Sequence, residues 1–301
     1  MRISDAMIAS AVVQGMARAS ERLFRAQEQV ASGLAFARPS QDPGGAMRAA
    51  ALRSGVAELS RYQRNCDDAL TRLRLGELAL ANISGSLREA RDAALSMSPF
   101  DQAANEALAD KVREIAAAVV GQASLASEGA YLFAGYQTLA PPLAPNPGGV
   151  PPYLYQGDRG HVALPLARGV SVVASLDAAE ILNMDGAADP AREDALETLR
   201  QLEAALRAGD REAVESALSA VTWHLEHVLA LRGQTGARLQ HVELARGRLD
   251  EGLRTMQTLL SRLQDADITR AVVELRAHEV AYQAAAAAAS ALHRASLLQY
   301  F

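Results

Sequence analysis

Half of the 301 residues are hydrophobic, ample for one or two packed cores, yet only 4% are aromatic. Thirty Lys and Arg against 35 Asp and Glu leave a net charge of −5, which excludes the basic footprint of a nucleic-acid binder and the polybasic patch of a membrane anchor. One cysteine, Cys66, excludes an internal disulfide, and no run of about 18 apolar residues spans a bilayer. Alanine and leucine carry most of the apolar share, a composition that favours closely packed helices over a thick aromatic core. Lys111 is the only lysine, a sign of genome composition. The opening "MRISDAMIASAVV" lacks an apolar stretch long enough for a secretory signal, so by these signs alone the chain reads as cytoplasmic.

Residues 1–37 read as one amphipathic helix. Ala9, Met16, Leu23 and Val30 recur every seven positions, with Val13 and Leu34 on the companion seam. Gly33 weakens its end and "RPSQDPGG" stops it; there Asp42 is a natural N-cap and Pro43 suits the first position of the next helix. That helix, from Pro43 to Met97, carries the clearest pattern: Leu52, Leu59, Cys66, Leu73, Leu80, Leu87 and Ala94 form one series. Gly55, Tyr62, Ala69, Gly76, Ile83, Ala90 and Met97 form the other. At about 1.5 Å per residue it is a rod roughly 80 Å long. "SPFDQ" breaks it, and Leu108, Val112, Ile115 and Val119 mark a third helix to about Ser127.

Composition shifts at Gly129 into a segment with most of the prolines and many of the tyrosines. "YLYQGDRGHVALPL" reads as a hairpin around Gly157–Gly160 and "GVSVVASL" as another strand, while Pro141–Pro152 is too proline-rich for a central strand. Helix returns at "DPAREDALETLRQLEAALRAGD", capped by Asp189 with Pro190 at its start. A last long stretch begins near Arg211, with Leu239, Leu253 and Leu260 on one heptad position and Val242, Leu249, Met256 and Leu263 on the other. The register slips at "QDADI" and resumes at Ile268, Val272, Leu275 and Tyr282. Heptads near both ends with a β-rich insert between predict a hairpin-shaped chain whose termini run side by side. The final "ASLLQYF" has no capping Gly, Asn or Pro, so its helix is expected to find partners outside one molecule.

Catalytic patterns are missing. "HEVAY" starts like a zinc-protease helix, but its second histidine is replaced by Tyr282. His224 and His227 share a helix face with no third ligand in evidence, and Asp265 and Asp267 suit a cap or loop better than acid–base work. "GQTGAR" lacks the Gly-Lys-Ser/Thr end of a phosphate loop, and "ISGSL" lacks the spacing of a nucleophile elbow. Cys66 falls on an apolar seam, where cysteine is a small core residue. No catalytic, cofactor or metal residue is assigned, and the chain is read as a non-enzyme.

Three stretches, in order, resemble the bacterial flagellin family. "RAQEQVASGLAFARPSQDPGGAMRAA" is similar to its N-terminal signature through Gln27, Gln29, Ser32, Gly33, Pro39, Ser40, Asp42 and Pro43, with Ala31 and Gln41 as conservative departures. "LQDADITRAVVELRAHEVAYQAAAAAASALHRASLLQYF" is similar to its C-terminal signature through Asp265, Ala266, Asp267, Ala281, Gln283, Ser296, Leu297 and Leu298. "GAYLFAGYQTLAPPL", followed by "YQGDRG", resembles the members placed between the flagellar hook and filament more than the flagellins themselves.

The resemblance implies a mainly α fold: a long antiparallel coiled-coil or helical rod with both termini paired, plus a small β-rich insert. Residues 1–37 and 266–301 are then the terminal assembly domain, 38–129 and 190–265 the helical rod, and 130–189 a β-rich outer domain. Leu23, Val30, Leu34, Val272, Leu275, Tyr282, Leu292, Leu297, Leu298, Tyr300 and Phe301 are the expected assembly residues. The implied partners are further copies in a helical ring, the hook-side junction protein, flagellin and an export chaperone, with no nucleic acid, membrane or cofactor. The implied location is the extracellular flagellum, reached through type III export without a cleaved signal; a single unpaired cysteine suits a chain that travels unfolded. The runner-up within the family is a short flagellin. From other classes, a metal-binding helical enzyme and a peripheral membrane helix protein are the alternatives.

Overall fold

Seven-residue apolar repeats become helices wherever two seams can be covered at once. The computed structural model describes the backbone of residues 5–127 and 129–298, and the side chains of Met7, 10–127 and 129–291. Its helices are α1 (Asp5–Ser32), α2 (Pro43–Leu95), α3 (Gln102–Ala123), α4 (Ala178–Leu182), α5 (Ala195–Ala208), α6 (Arg211–Gln264) and α7 (Ile268–Leu298). Between α3 and α4 lie six short strands: β1 (Ala126–Ser127), β2 (Ala130–Tyr131), β3 (Leu143–Pro145), β4 (Tyr153–Tyr155), β5 (Ala163–Ala167) and β6 (Val170–Val173). The fold is mainly α, as the heptads predict. Among the described residues, no helix is long and apolar enough to cross a membrane.

Two compact units emerge, Met1–Leu59 with Glu251–Phe301, and Ser60–Asp250. In the first, α1 lies against α7. In the second, the apolar core gathers Leu80, Ile83 and Leu87 of α2, Val112 and Val119 of α3, Leu196, Leu199 and Leu202 of α5, and Val221, Leu225 and Val228 of α6. Cys66 is buried on the α2 seam, and burial pushes its thiol pKa up. At about 25 cal/mol per Å² of apolar surface, side chains of this size each contribute roughly 1.5–3 kcal/mol.

The strands form three separate antiparallel ribbons, β1–β2, β3–β4 and β5–β6. This corrects the hairpin expected around Gly157–Gly160: β4 pairs with β3, Leu143 facing Tyr155, and β5 pairs with β6. The turn between β4 and β5 is used differently. The Asp158 carboxylate accepts the amides of Tyr136 (2.7 Å) and Gly160 (2.8 Å), while the Tyr155 hydroxyl donates to the Asp158 carbonyl at 2.8 Å. Gly135 sits at φ +68°, where a Cβ would fall 2.1 Å from that same carboxylate. Phe133 is buried just before it, and its carbonyl accepts the amide of Ala178 at 3.0 Å, tying the insert to α4. The "YLFAGYQT" and "YQGDRG" stretches are thus two halves of one lock.

Three further boundaries differ from the sequence reading. The third helix, expected to about Ser127, ends at Ala123, because Ala126–Ser127 pair with β2. The helix expected to begin at Asp189–Pro190 starts at Ala195, because Asp194, not Asp189, accepts the amide of Glu197. Asp189 closes a preceding turn instead, accepting the amide of Ala191. That turn is organised by the buried Asn183, whose side chain donates to the carbonyls of Asp189 and Arg192 and accepts the amides of Ala188 and Asp189. The first helix ends at Ser32, five residues before its expected limit, with Gly33 at φ +70°.

Beneath the Asn183 turn, buried His224 of α6 lies 3.2 Å from the Thr198 hydroxyl of α5. Burial, with His227 and Arg192 nearby, lowers the His224 pKa to about 4. Burial likewise raises Asp194 to about 6, against the opposing pull of the Glu197 and Leu196 amides. The two titrations oppose each other. Stability from neutral His224 is lost as pH falls from 6.5 through 4, and stability from protonated Asp194 is gained as pH falls through 6. Between these values the second unit should hold a nearly constant stability. Asp194→Asn keeps a capping side chain but removes the compensating titration, so its unfolding free energy should fall by about 2–3 kcal/mol on acidification from pH 6.5 to 4, and its melting temperature with it. His224→Gln should gain stability over the same range. Parallel pH profiles for the two variants would disprove the compensation.

Candidate assembly face

The N-terminal and C-terminal signatures meet at one place, the base of the α1–α7 pair. Gly33 ends α1 and turns the backbone so that Leu34 bridges antiparallel to Asp265. The Ala35 amide donates to the Gln264 carbonyl at 2.6 Å, and the Ala266 amide to the Gly33 carbonyl at 2.8 Å. The Gln29 side chain donates to the Ala35 carbonyl at 2.7 Å, so α1's last turn holds the segment that follows it. Gln41, one of the two departures from the signature, accepts the amides of Ala37 (2.8 Å) and Arg38 (3.2 Å). Asp42 caps α2 as expected, accepting the Gly45 amide at 2.8 Å; a Cβ at Gly45 would lie 2.2 Å from that carboxylate. Across the break, Asp267 accepts the Arg270 amide and starts α7, while Asp265 supplies the bridge to Leu34. The "PSQDP" and "DAD" motifs are therefore hydrogen-bonding devices that stop one helix, start the next and fix their register.

From this base α1 and α7 run antiparallel. Ala26 and Ala271 are buried, and Val12, Met16, Ala19, Leu23 and Val30 of α1 are half-buried. On α7, Val272, Leu275, His278, Tyr282, Ala285 and Ala289 are half-buried. Leu23, Val30, Val272, Leu275 and Tyr282 thus sit on the covered side of the pair. Leu34 lies outside the helix, half-buried in the bridging turn, and Val13 is 65% exposed; α1's companion seam is Val12, Ala19 and Ala26. The companion seam lies on the other flank of the Met16–Leu23–Val30 line, four residues before each member, not three. Leu292, Leu297 and Leu298 belong to α7, but their side chains, like all of Tyr300 and Phe301, lie outside the described residues, as does the side chain of Ala9.

The covered seam accounts for only one face of α7. Val273, Ala277, Val280, Ala284, Ala287 and Ala291, alternately four and three residues apart, form a second heptad line and are all exposed. A knobs-into-holes seam with no partner is thereby displayed along the helix. Sequence reasoning missed it, although the 273–280–287 and 277–284–291 series stand in plain view. The six consecutive alanines at 284–289 satisfy any heptad register and hide the distinction.

Elsewhere the chemistry is structural. His227 stacks on Trp223 and its Nε2 lies 2.8 Å from the Glu180 carbonyl. Among the described residues no group of three or more His, Cys, Asp or Glu is arranged to hold a metal ion.

Comparison with known proteins fits this layout. Residues 3–138 match the bacterial flagellin N-terminal helical region. Over 189 residues the chain is 26% identical to flagellar hook-associated protein 3 of Salmonella typhimurium, covering 61% of this chain and 57% of that relative's length. Its fold is similar to that of a chain described as a flagellar hook-associated protein from Vibrio parahaemolyticus (TM-score 0.65, 21% identity, 75% of this chain and 100% of that one). It is also similar to hook-associated protein 3 of Legionella pneumophila (TM-score 0.62, 15% identity, 70% and 98%). FlgL of Bacillus cereus gives a TM-score of 0.59 at 20% identity, over 70% and 99%.

The base of the pair can be tested at Gly33, where open space surrounds the Cα and only the positive φ demands glycine. Gly33→Ala should weaken the α1–α7 docking by about 1–2 kcal/mol. Trypsin should then cut faster at Arg22 and Arg270, with the second unit's melting unchanged. Unaltered cleavage at those sites would show that the turn does not set the pairing.

Proposed function

Taking the chain's kinship with flagellar hook-associated protein 3 and the flagellin-like proteins as premise, we propose that it is a structural subunit of the bacterial flagellum, joining hook to filament. The observation that carries this reading is the pair of heptad seams on α7, one covered by α1 and the other exposed through Val273, Val280 and Ala287. A helix with two apolar seams belongs in an assembly where every copy covers its neighbour. Head-to-tail association of this kind closes into a ring or continues as a helix.

In this reading residues 1–37 and 266–301 assemble, 38–129 and 190–265 form the supporting rod, and 130–189 face outward. Of the assembly residues, Leu23, Val30, Leu34, Val272, Leu275 and Tyr282 serve through the α1–α7 pairing within each copy, and Leu292, Leu297, Leu298, Tyr300 and Phe301, with the exposed α7 line, serve between copies. The partners are further copies of the chain, the hook-side junction protein, flagellin and an export chaperone. The route is type III export in an unfolded state, and the role is mechanical, without catalysis.

Deleting the gene should leave intact hooks without filaments and flagellin shed into the medium. Val280→Asp, which places a charge on the exposed line, should melt like the parent chain yet fail to restore filaments. Leu275→Asp should instead destabilise the free chain by about 2 kcal/mol or more, because it charges the covered seam. Normal filaments with Val280→Asp would sink the proposed contact. Long filaments formed by the purified chain alone would identify a flagellin.

A further inference from the structure

Helix α6 contains Gly233, Gly236, Gly247 and Gly252 within its 54 residues. At Gly252 a Cβ would touch Leu59 at 3.4 Å, whereas at the other three it would meet nothing within 4 Å. None of the three is among the glycines with positive φ. Neither backbone geometry nor packing therefore requires glycine there, and each weakens the helix through its extra freedom in the unfolded chain. Gly85 in α2 and Gly121 in α3 have similar open space but stand singly.

The same stretch is where the core thins. The main apolar cluster takes Val214, Ala217, Val221, Leu225, Val228 and Leu231 from α6 and nothing beyond. Across the glycines the buried face offers Thr235 and Val242. The Thr235 hydroxyl donates back to the Leu231 carbonyl at 2.8 Å, a bond that competes with the helix's own ladder and favours bending. Polar ties in the stretch are an exposed Arg74–Glu243 pair at 3.0 Å and an Arg246–Asp67 pair at 3.0 Å, both open to screening by salt. The firmer contact, Arg232 forked onto Glu77 at 3.0 and 2.6 Å, lies at its N-terminal edge.

We propose that residues 233–247 are a built-in opening point of α6, a stretch that unwinds and recloses within the folded unit while the helix N-terminal to it stays docked. Few buried apolar contacts and water-exposed helix backbone are the physical marks of such low local stability. The inference concerns the free chain and stands independently of the flagellar reading.

Native-state hydrogen exchange of the full chain, followed across low denaturant concentrations, tests it. Amides of 233–247 should exchange faster than those of 221–231 and with a smaller denaturant dependence. Each of Gly233→Ala, Gly236→Ala and Gly247→Ala should slow exchange in the stretch about fivefold, the ratio corresponding to about 1 kcal/mol of helix propensity. The triple variant should slow it about a hundredfold if the steps add. Gly121→Ala, in α3, should leave exchange of the 233–247 amides unchanged. Identical rates and denaturant dependence for the two segments in the parent chain would overturn the proposal. So would a triple variant with unchanged exchange but lost self-association, which would make the glycines a docking groove.

Discussion

Two backbone hydrogen bonds, Ala35 to Gln264 and Ala266 to Gly33, join segments from opposite ends of the sequence and set the register of everything distal to them. Because α1 and α7 leave this clamp in opposite chain directions, their relative slide is fixed before any side chain interdigitates. A strand bridge is a sharper ruler than a heptad seam. A coiled coil of valines and alanines tolerates slippage by a turn, whereas an amide–carbonyl pair is either made or lost. The side chains of Gln41, Asp42 and Asp267 around it serve the same end by accepting the local amides.

The helical framework was legible because its cause is local. A seven-residue repeat needs only its own neighbours to be recognised, and α2, α3, α6 and α7 lie where their repeats place them. What escaped depended on partners remote in sequence. Nothing near Gly157 announces that the Asp158 carboxylate reaches back to Tyr136, so a turn that looks like a hairpin becomes a clasp. Asp189 and Asp194 both have cap chemistry, and the choice between them is made by Asn183, whose hydrogen bonds consume the intervening backbone. At the candidate site, the base motifs could be read from the family pattern. The exposed line of α7 could not be separated from the covered one, since alanine fits both.

The two units differ in how they are held. The second is closed by large side chains around Phe133, Leu182 and Met184 and by a buried polar set at Asn183, Asp194 and His224. Its polar members are partnered by backbone or hydroxyl groups, which makes their positions specific as well as stable. The first relies on a narrow seam and a hydrogen-bonded turn.

The alanine run of α7 gives this surface an unusual thermodynamic character. A methyl group has no rotamers to freeze, so covering it costs almost no side-chain entropy, yet each methyl returns only a small hydrophobic gain. A single encounter between two such faces is therefore weak and easily undone. Lining up many of them along one axis adds gains without adding penalties, so adhesion rises steeply with the number of faces in register. A surface of this kind discriminates by straightness and spacing more than by chemical identity. It rewards a neighbour held at the correct pitch and releases one that is not.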